Sequence, residues 1–217
     1  MKFLSQNIRK LSSNTEYYLK CLACPVKKLI VVTGPAGTGK TIMACEEAVK
    51  QLKTNTIKKI VVTRPLVGAD NDIGYLPGTL EDKMAPWTRP ILDVFYEHFT
   101  KQRVLQLIKN DIIEISPFIY MRGRTFKNSF IIGDELQNAN TNQMKMLLTR
   151  IGDNSKMVVN GDLEQKDMIS KSGLEDFINI LNKNEIDESI ALIKMDNTDV
   201  KRSEIVNKII KLYNCVL

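Results

Sequence analysis

The chain has 217 residues with a net charge of +6 and a pI near 9, a length that fits one domain and buries about 70% of the unfolded surface. With 43% hydrophobic and 26% charged residues the composition is globular, and no apolar run approaches the roughly 18 residues of a membrane span. The positive charge suits a polyanion partner and a solvated surface about equally. Residues 1–7 lack the apolar core of a signal peptide; they are basic and Ser-containing, with no acid before Glu16, so a transit peptide is the lesser alternative. Residues 1–13 read as an N-terminal segment and 14–217 as a single domain. With Cys215 third from the end there is no prenylation box. Four cysteines without an export signal predict a reducing compartment, the cytoplasm. Cys21 and Cys24 have the spacing of half a zinc site, but no second pair follows, so they read as small hydrophobes facing a helix.

In chain order, residues 29–33 read as a buried strand, followed by a Gly-rich turn and a helix from Lys40 to Lys53 with Ala44, Ala48 and Leu52 on one stripe. Residues 59–63 form a second strand, stopped by Arg64-Pro65. The Gly-, Pro- and Asp-bearing stretch from Leu66 to Pro90 reads as a long functional loop. A helical pair then covers 90–110, with His98 packed or solvated in its apolar pattern, and strands follow at 112–115 and 129–132. Asn140 or Thr141 caps a helix whose stripe of Met144, Met146, Leu147, Leu148 and Ile151 faces the core. Residues 156–160 are a strand, 173–181 a helix, 189–194 a last strand and 203–213 a closing helix. Short β-branched runs alternating with helices predict an α/β fold, a parallel sheet wrapped by helices.

Gly34-Pro35-Ala36-Gly37-Thr38-Gly39-Lys40-Thr41 is the strongest chemical signal: a strand, a Gly-rich turn and a helix in the P-loop pattern. Its glycines let successive N–H groups face a phosphate, with the helix dipole behind them. Lys40 is placed to reach the terminal phosphates of ATP and Thr41 to offer its hydroxyl to Mg²⁺. The strand at 130–132 runs into Gly133-Asp134-Glu135, at the sheet edge where α/β folds bind ligands. Adjacent acids on an extended chain point apart, so Asp134 reads as the Mg²⁺ partner and Glu135 as the group that orients or deprotonates water. The alternative, acids favouring a helix N-terminus, is weaker beside a P-loop. Gln165, just past another strand, is a γ-phosphate sensor or a polar turn residue, and Arg202 is a surface arginine or a phosphate-stabilising one.

Together with Thr63-Arg64-Pro65, Gly74-Tyr75-Leu76-Pro77-Gly78, Tyr120-Met121-Arg122-Gly123-Arg124-Thr125, Asp134-Glu135-Leu136-Gln137-Asn138, Gly161-Asp162-Leu163-Glu164-Gln165 and Lys171-Ser172-Gly173-Leu174, these residues resemble the PhoH-like family of ATPases. The resemblance runs from about Asn14 to Val206. It implies a RecA-like P-loop NTPase similar to the core of superfamily-1 helicases, Mg-ATP use, a homo-oligomeric ring with a hexamer as one size, and action on RNA or other nucleic acid. By position it implies Lys40, Thr41, Asp134 and Glu135 in the roles above, Gln165 as sensor and Arg202 as a catalytic arginine. Three positions depart from the family pattern: Arg202-Ser203-Glu204 replaces Arg-His-Pro, Gly133 replaces an aliphatic strand residue, and Thr15 stands where an adenine-reading Gln is common.

Arg64, Arg122 and Arg124 are candidates for nucleic-acid phosphates, with a solvated or ion-paired face as the rival reading of each. With 6% aromatics and no basic-aromatic interleaving, no stacking platform is legible. The leading expectation is an ATPase coupled to movement on, or remodelling of, single-stranded nucleic acid, RNA ahead of DNA. A nucleotide-gated assembly module is the second. A small-molecule kinase is third.

Overall fold

The computed structural model describes residues 11–65, 80–165, 172–200 and 205, without the side chains of 80–86. The strands are β1 (Leu29–Thr33), β2 (Lys59–Arg64), β3 (Ile113–Pro117), β4 (Ser129–Gly133), β5 (Lys156–Gly161) and β6 (Ile190–Lys194). Among the described residues they form one sheet in the order β3-β2-β4-β5-β1-β6, every pairing parallel. Parallel neighbours cannot be joined by tight hairpins, so the connections cross the faces of the sheet, mostly as helices. The helices are α1 (Ser13–Ala23), which precedes β1, and α2 (Lys40–Lys53), α3 (Leu80–His98), α4 (Lys101–Lys109), α5 (Thr141–Leu148) and α6 (Gly173–Lys183) between the strands.

The two-residue period of the strands splits the core in two. Ile30, Val32, Ile60, Val62, Ile132 and Val158 face Tyr18, Ala44, Ala48, Phe95 and Val104. Val31, Val61, Ile131, Met157 and Val159 face Met144, Leu147, Leu174 and Leu181 on the other side. Each fully buried Val or Ile contributes about 1.5–3 kcal/mol, and both faces are covered, which is why the strands read as continuous apolar runs.

Helix α1 is held at both ends by charge matched to its dipole. At its start Ser12 accepts from the Thr15 amide at 3.1 Å, and Asp199 accepts from the side chains of Ser12, Asn14 (3.1 Å) and Thr15 (3.2 Å). Burial works against the Asp199 anion, but these donors and the Asp196 amide hold its carboxyl below the usual range. At the other end the Lys156 ammonium donates to the carbonyls of Leu22, Cys21 (3.3 Å) and Cys24 (2.8 Å), and burial lowers its pKa to about 8. From the middle of α1 the buried Tyr18 hydroxyl donates to the Lys40 carbonyl at 3.0 Å, tying this helix to the start of α2.

The expected strands all appear, with ends moved by at most two residues. Two expectations are corrected. The stretch from 66 to 90 is not loop throughout: α3 starts at Leu80 and runs through Pro86 and Pro90. Ile91, Val94 and Phe95 bury a stripe strong enough to hold the helix despite the lost proline N–H groups. Cys21 is buried within α1 and Cys24 is the extended cap after it. Helix α5 stops at Leu148, and Ile151 instead makes a β-bridge with Phe126. Arg122 and Arg124 follow a 3-10 turn, Phe118–Met121. The expected helix at 203–213 lies outside the described residues except for 205, which is helical. Among the described residues no helix is long and apolar enough to cross a membrane. A Gly-rich turn on β1, acids on β4 and helices on both faces of an all-parallel sheet make this a RecA-like P-loop NTPase fold.

Candidate nucleotide site

Thr33, the last residue of β1, is buried against the end of β5, and the chain then turns through Gly34 to Gly39 into α2. Gly34 has φ of +147°, and a Cβ there would meet the Met195 carbonyl oxygen at 2.6 Å, so no other residue fits. Gly39 caps α2 in the left-handed region with no side-chain hydrogen bond. The first amides of α2 are therefore left without a side-chain cap, an arrangement that suits an anion. The Lys40 ammonium donates to the carbonyls of Gly34 (2.6 Å) and Pro35 (2.9 Å) and to the Thr38 hydroxyl (3.2 Å). Burial lowers its pKa, against the opposing pull of Asp162, Glu135 and Asp134.

Because β5 lies between β1 and β4, three strand ends meet at one rim. The Thr41 hydroxyl donates to Asp134 Oδ1 at 2.7 Å. Asn160, at the end of β5, donates to the Thr41 Oγ1 at 3.2 Å and accepts from the Glu135 amide at 3.3 Å. Arg64, ending β2, approaches Asp134 at 4.0 Å. Burial raises the Asp134 carboxyl, and the neighbouring Glu135 adds to this, while Thr41, Arg64 and Asn160 oppose it. A buried carboxylate facing a hydroxyl beside a phosphate-type loop fits Mg²⁺ held jointly with phosphate oxygens. Among the described residues no cluster of three or more acidic, His or Cys residues could hold a metal by itself.

Glu135 has φ of +54°. The other non-glycine residues with positive φ among the described ones are all Asn or Asp, which tolerate it; a glutamate there holds about 1–3 kcal/mol of strain. Its carboxylate accepts from Gln137 Nε2 at 2.5 Å. Gln137 is 1% exposed and uses its whole amide: Nε2 also donates to the Gln165 carbonyl at 3.1 Å, and Oε1 accepts from the Asp162 amide at 3.0 Å. Asp162 in turn accepts from the P-loop amide of Ala36 at 3.1 Å and from the Glu164 amide at 3.0 Å. Loop Gly161–Gln165 is thus bonded to the P-loop directly and to Glu135 through Gln137.

Lys40, Thr41, Asp134 and Glu135 therefore share one rim, with the Gln165 backbone joined to it and the Gln165 side chain exposed. Arg202 lies outside the described residues. Arg124 makes hydrogen bonds of 2.5 and 2.7 Å to Glu114, while Arg122 is exposed and has no ion pair among the described residues. The Thr15 hydroxyl is spent on Asp199. Asn160, Gln137 and Asp162 were not expected as site residues; the available signal was the place of Gln137 in the Asp134–Asn138 stretch, of Asp162 in the Gly161–Gln165 stretch and of Asn160 at the end of the 156–160 strand.

The sequence profile of the PhoH-like protein family matches residues 7–214. The PhoH-like protein of Bacillus subtilis (strain 168) is 45% identical over 188 residues, covering 86% of this chain and 58% of that protein. Protein PhoH of Escherichia coli (strain K12) is 39% identical over 202 residues, covering 91% of this chain and 56% of its own. The chain spans somewhat over half the length of these curated relatives. Among solved structures it is similar to the large terminase from a thermophilic bacteriophage, at 13% identity and a TM-score of 0.54, covering 94% of this chain and 50% of that one. At that identity the likeness concerns the fold. With a profile match over nearly its whole length, and relatives this similar in sequence, the chain belongs to the PhoH-like protein family.

Proposed function

We propose that the chain binds ATP with Mg²⁺ at this rim, hydrolyses it, and couples turnover to binding or remodelling of single-stranded nucleic acid, RNA ahead of DNA. The observation that carries the reading is the 2.7 Å contact between Thr41 and Asp134, with Glu135 next in the chain. Lys40 exchanges its loop carbonyls for phosphate oxygens, and the amides of residues 37–41 cradle the rest of the chain of phosphates. Thr41 and Asp134 hold the metal. Bound Mg²⁺ supplies charge neutralisation at the phosphates. Glu135 orients the attacking water and takes its proton as the new oxygen–phosphorus bond forms and the bond to ADP breaks. Gln137 and Asn160 position Glu135 from its side chain and its amide. Asp162, bonded to Ala36 and to Gln137's loop, passes changes at the phosphates towards Gln165. Arg202, carried by the family resemblance, stabilises charge on the transferring phosphoryl group, and the working form is a homo-oligomeric ring in the cytoplasm.

The strand-binding half rests on the net charge of +6, on Arg64 at the same rim and on the exposed Arg122. The test is ATPase rate with and without single-stranded RNA or DNA over a range of salt. Stimulation by RNA that fades as salt rises is the expected result. A chain that turns over ATP but neither binds nor responds to any single strand keeps the ATPase and loses the coupling; a chain without turnover loses both.

A further inference from the structure

The 3-10 turn Phe118–Met121, directly after β3, sorts its side chains by a three-residue period. Phe118 and Met121 point into the core at 4% and 0% exposure, and this leaves Ile119 and Tyr120 standing out at 72% and 51%. Arg122 follows, also exposed. Beneath the turn, Arg124 grips Glu114 with two hydrogen bonds, its Nη1 reaches the Tyr120 carbonyl at 3.5 Å, and its guanidinium lies 4.6 Å from the centre of the Phe126 ring. Lys59 adds a 2.7 Å ion pair to the same Glu114. An aromatic ring and an arginine are therefore offered to solvent on a turn fixed from below. The turn also stands on the nucleotide edge of the sheet: Pro117 is in register with Arg64, and β2 pairs with β4, whose chain continues into Asp134.

We propose that Tyr120, Ile119 and Arg122 form a contact for single-stranded nucleic acid, the tyrosine ring stacking on a base with Ile119 against it and Arg122 taking a neighbouring phosphate. This rests on the strand-binding half of the proposed function and names where the strand sits. A rigidly held, exposed aromatic is what base stacking needs, and it is tolerant of sequence because every base has a π-face. The adjoining arginine selects a partner that carries anions along an apolar edge, as a nucleic-acid strand does. A second copy of this chain fits less well, since two apolar residues fall far short of the roughly 800 Å² per partner of a standard interface.

The test is fluorescence anisotropy of labelled single-stranded RNA and DNA oligonucleotides with wild type, Tyr120→Ala, Tyr120→Phe and Arg122→Ala, each variant first checked for a melting temperature close to wild type. Tyr120→Ala is expected to weaken binding about tenfold or more, with Tyr120→Phe close to wild type. Arg122→Ala is expected to lower the slope of log affinity against log salt by about 0.7–1, which Tyr120→Ala leaves alone. A wild-type chain that binds no strand sinks the underlying functional reading. A wild-type chain that binds, with Tyr120→Ala binding equally well, overturns the stacking contact alone. A changed native mass in Tyr120→Ala with unchanged strand affinity makes the turn a subunit contact and overturns it as well.

Discussion

Thr41 and Asp134 are 93 positions apart in the chain and 2.7 Å apart at the rim of the sheet. Strand β5, lying between β1 and β4, whose chains lead into them, brings Asn160 against both of their neighbourhoods, with one bond to the Thr41 hydroxyl and one from the Glu135 amide. Asn160 is buried, so removing its amide strands a buried donor and lets two loops drift. Asn160→Ala is expected to cost about 1–3 kcal/mol in urea unfolding and to slow ATP turnover. A variant with wild-type stability and rate would contradict the positioning role.

Glu135 holds a left-handed backbone that costs a β-carbon-bearing residue about 1–3 kcal/mol. Glycine takes that conformation without penalty, although it adds chain entropy to the unfolded state. Glu135→Gly is therefore expected to melt at or slightly above the wild-type temperature while losing ATP hydrolysis. Calorimetry beside an ATPase assay checks this. A clear fall in melting temperature would mean that the glutamate side chain, not its chemistry, holds the loop.

Gln137 acts on Glu135 through the 2.5 Å bond to its carboxylate. Methionine matches the glutamine in length but donates nothing. Gln137→Met is expected to lower kcat about tenfold or more, with ATP affinity little changed, since the loss falls on water activation. A rise in KM with unchanged kcat would place Gln137 in nucleotide binding instead.

Glu114 gives the pH dependence. Burial pushes its carboxyl up, but hydrogen bonds from Arg124, Lys59 and Ser116 prevail and hold it at about 2. In the unfolded chain the carboxyl takes its proton near 4.5, so across this window the unfolded state binds more protons and stability falls as pH falls. The contribution is full above pH 4.5 and gone by about 2; discounted for the part-exposed Arg124, it is about 1–2 kcal/mol. Glu114→Gln is expected to be less stable by that amount at pH 7 and to show a shallower loss on acidification. Equal slopes for the two proteins would show that Glu114 does not carry the acid sensitivity.

What could be read in advance was local. The P-loop is eight consecutive residues, the strands are β-branched runs, and the Asn140 cap with Gln143 three residues on forms the capping box its sequence spells. What could not be read depended on distant partners. Gln137 meets Gln165 28 positions on, and Asn160 meets Thr41 119 positions back. The start of helix α3, ahead of the expected helical pair at 90–110, was hidden because Pro86 and Pro90 are local breakers, overruled by a stripe that packs only in the folded core. The exposed Ile119 and Tyr120 were hidden for the converse reason: their neighbours Phe118 and Met121 are equally apolar, and only the three-residue period of the turn separates the inner pair from the outer.

If Thr41 and Asp134 complete a magnesium site on bound ATP, equilibrium ATP binding with and without Mg²⁺ reports it. Wild type is expected to bind about tenfold or more tightly with the metal, a gain that Asp134→Asn loses while keeping its metal-free affinity. A wild-type affinity indifferent to Mg²⁺, or a variant that keeps the whole gain, would contradict it.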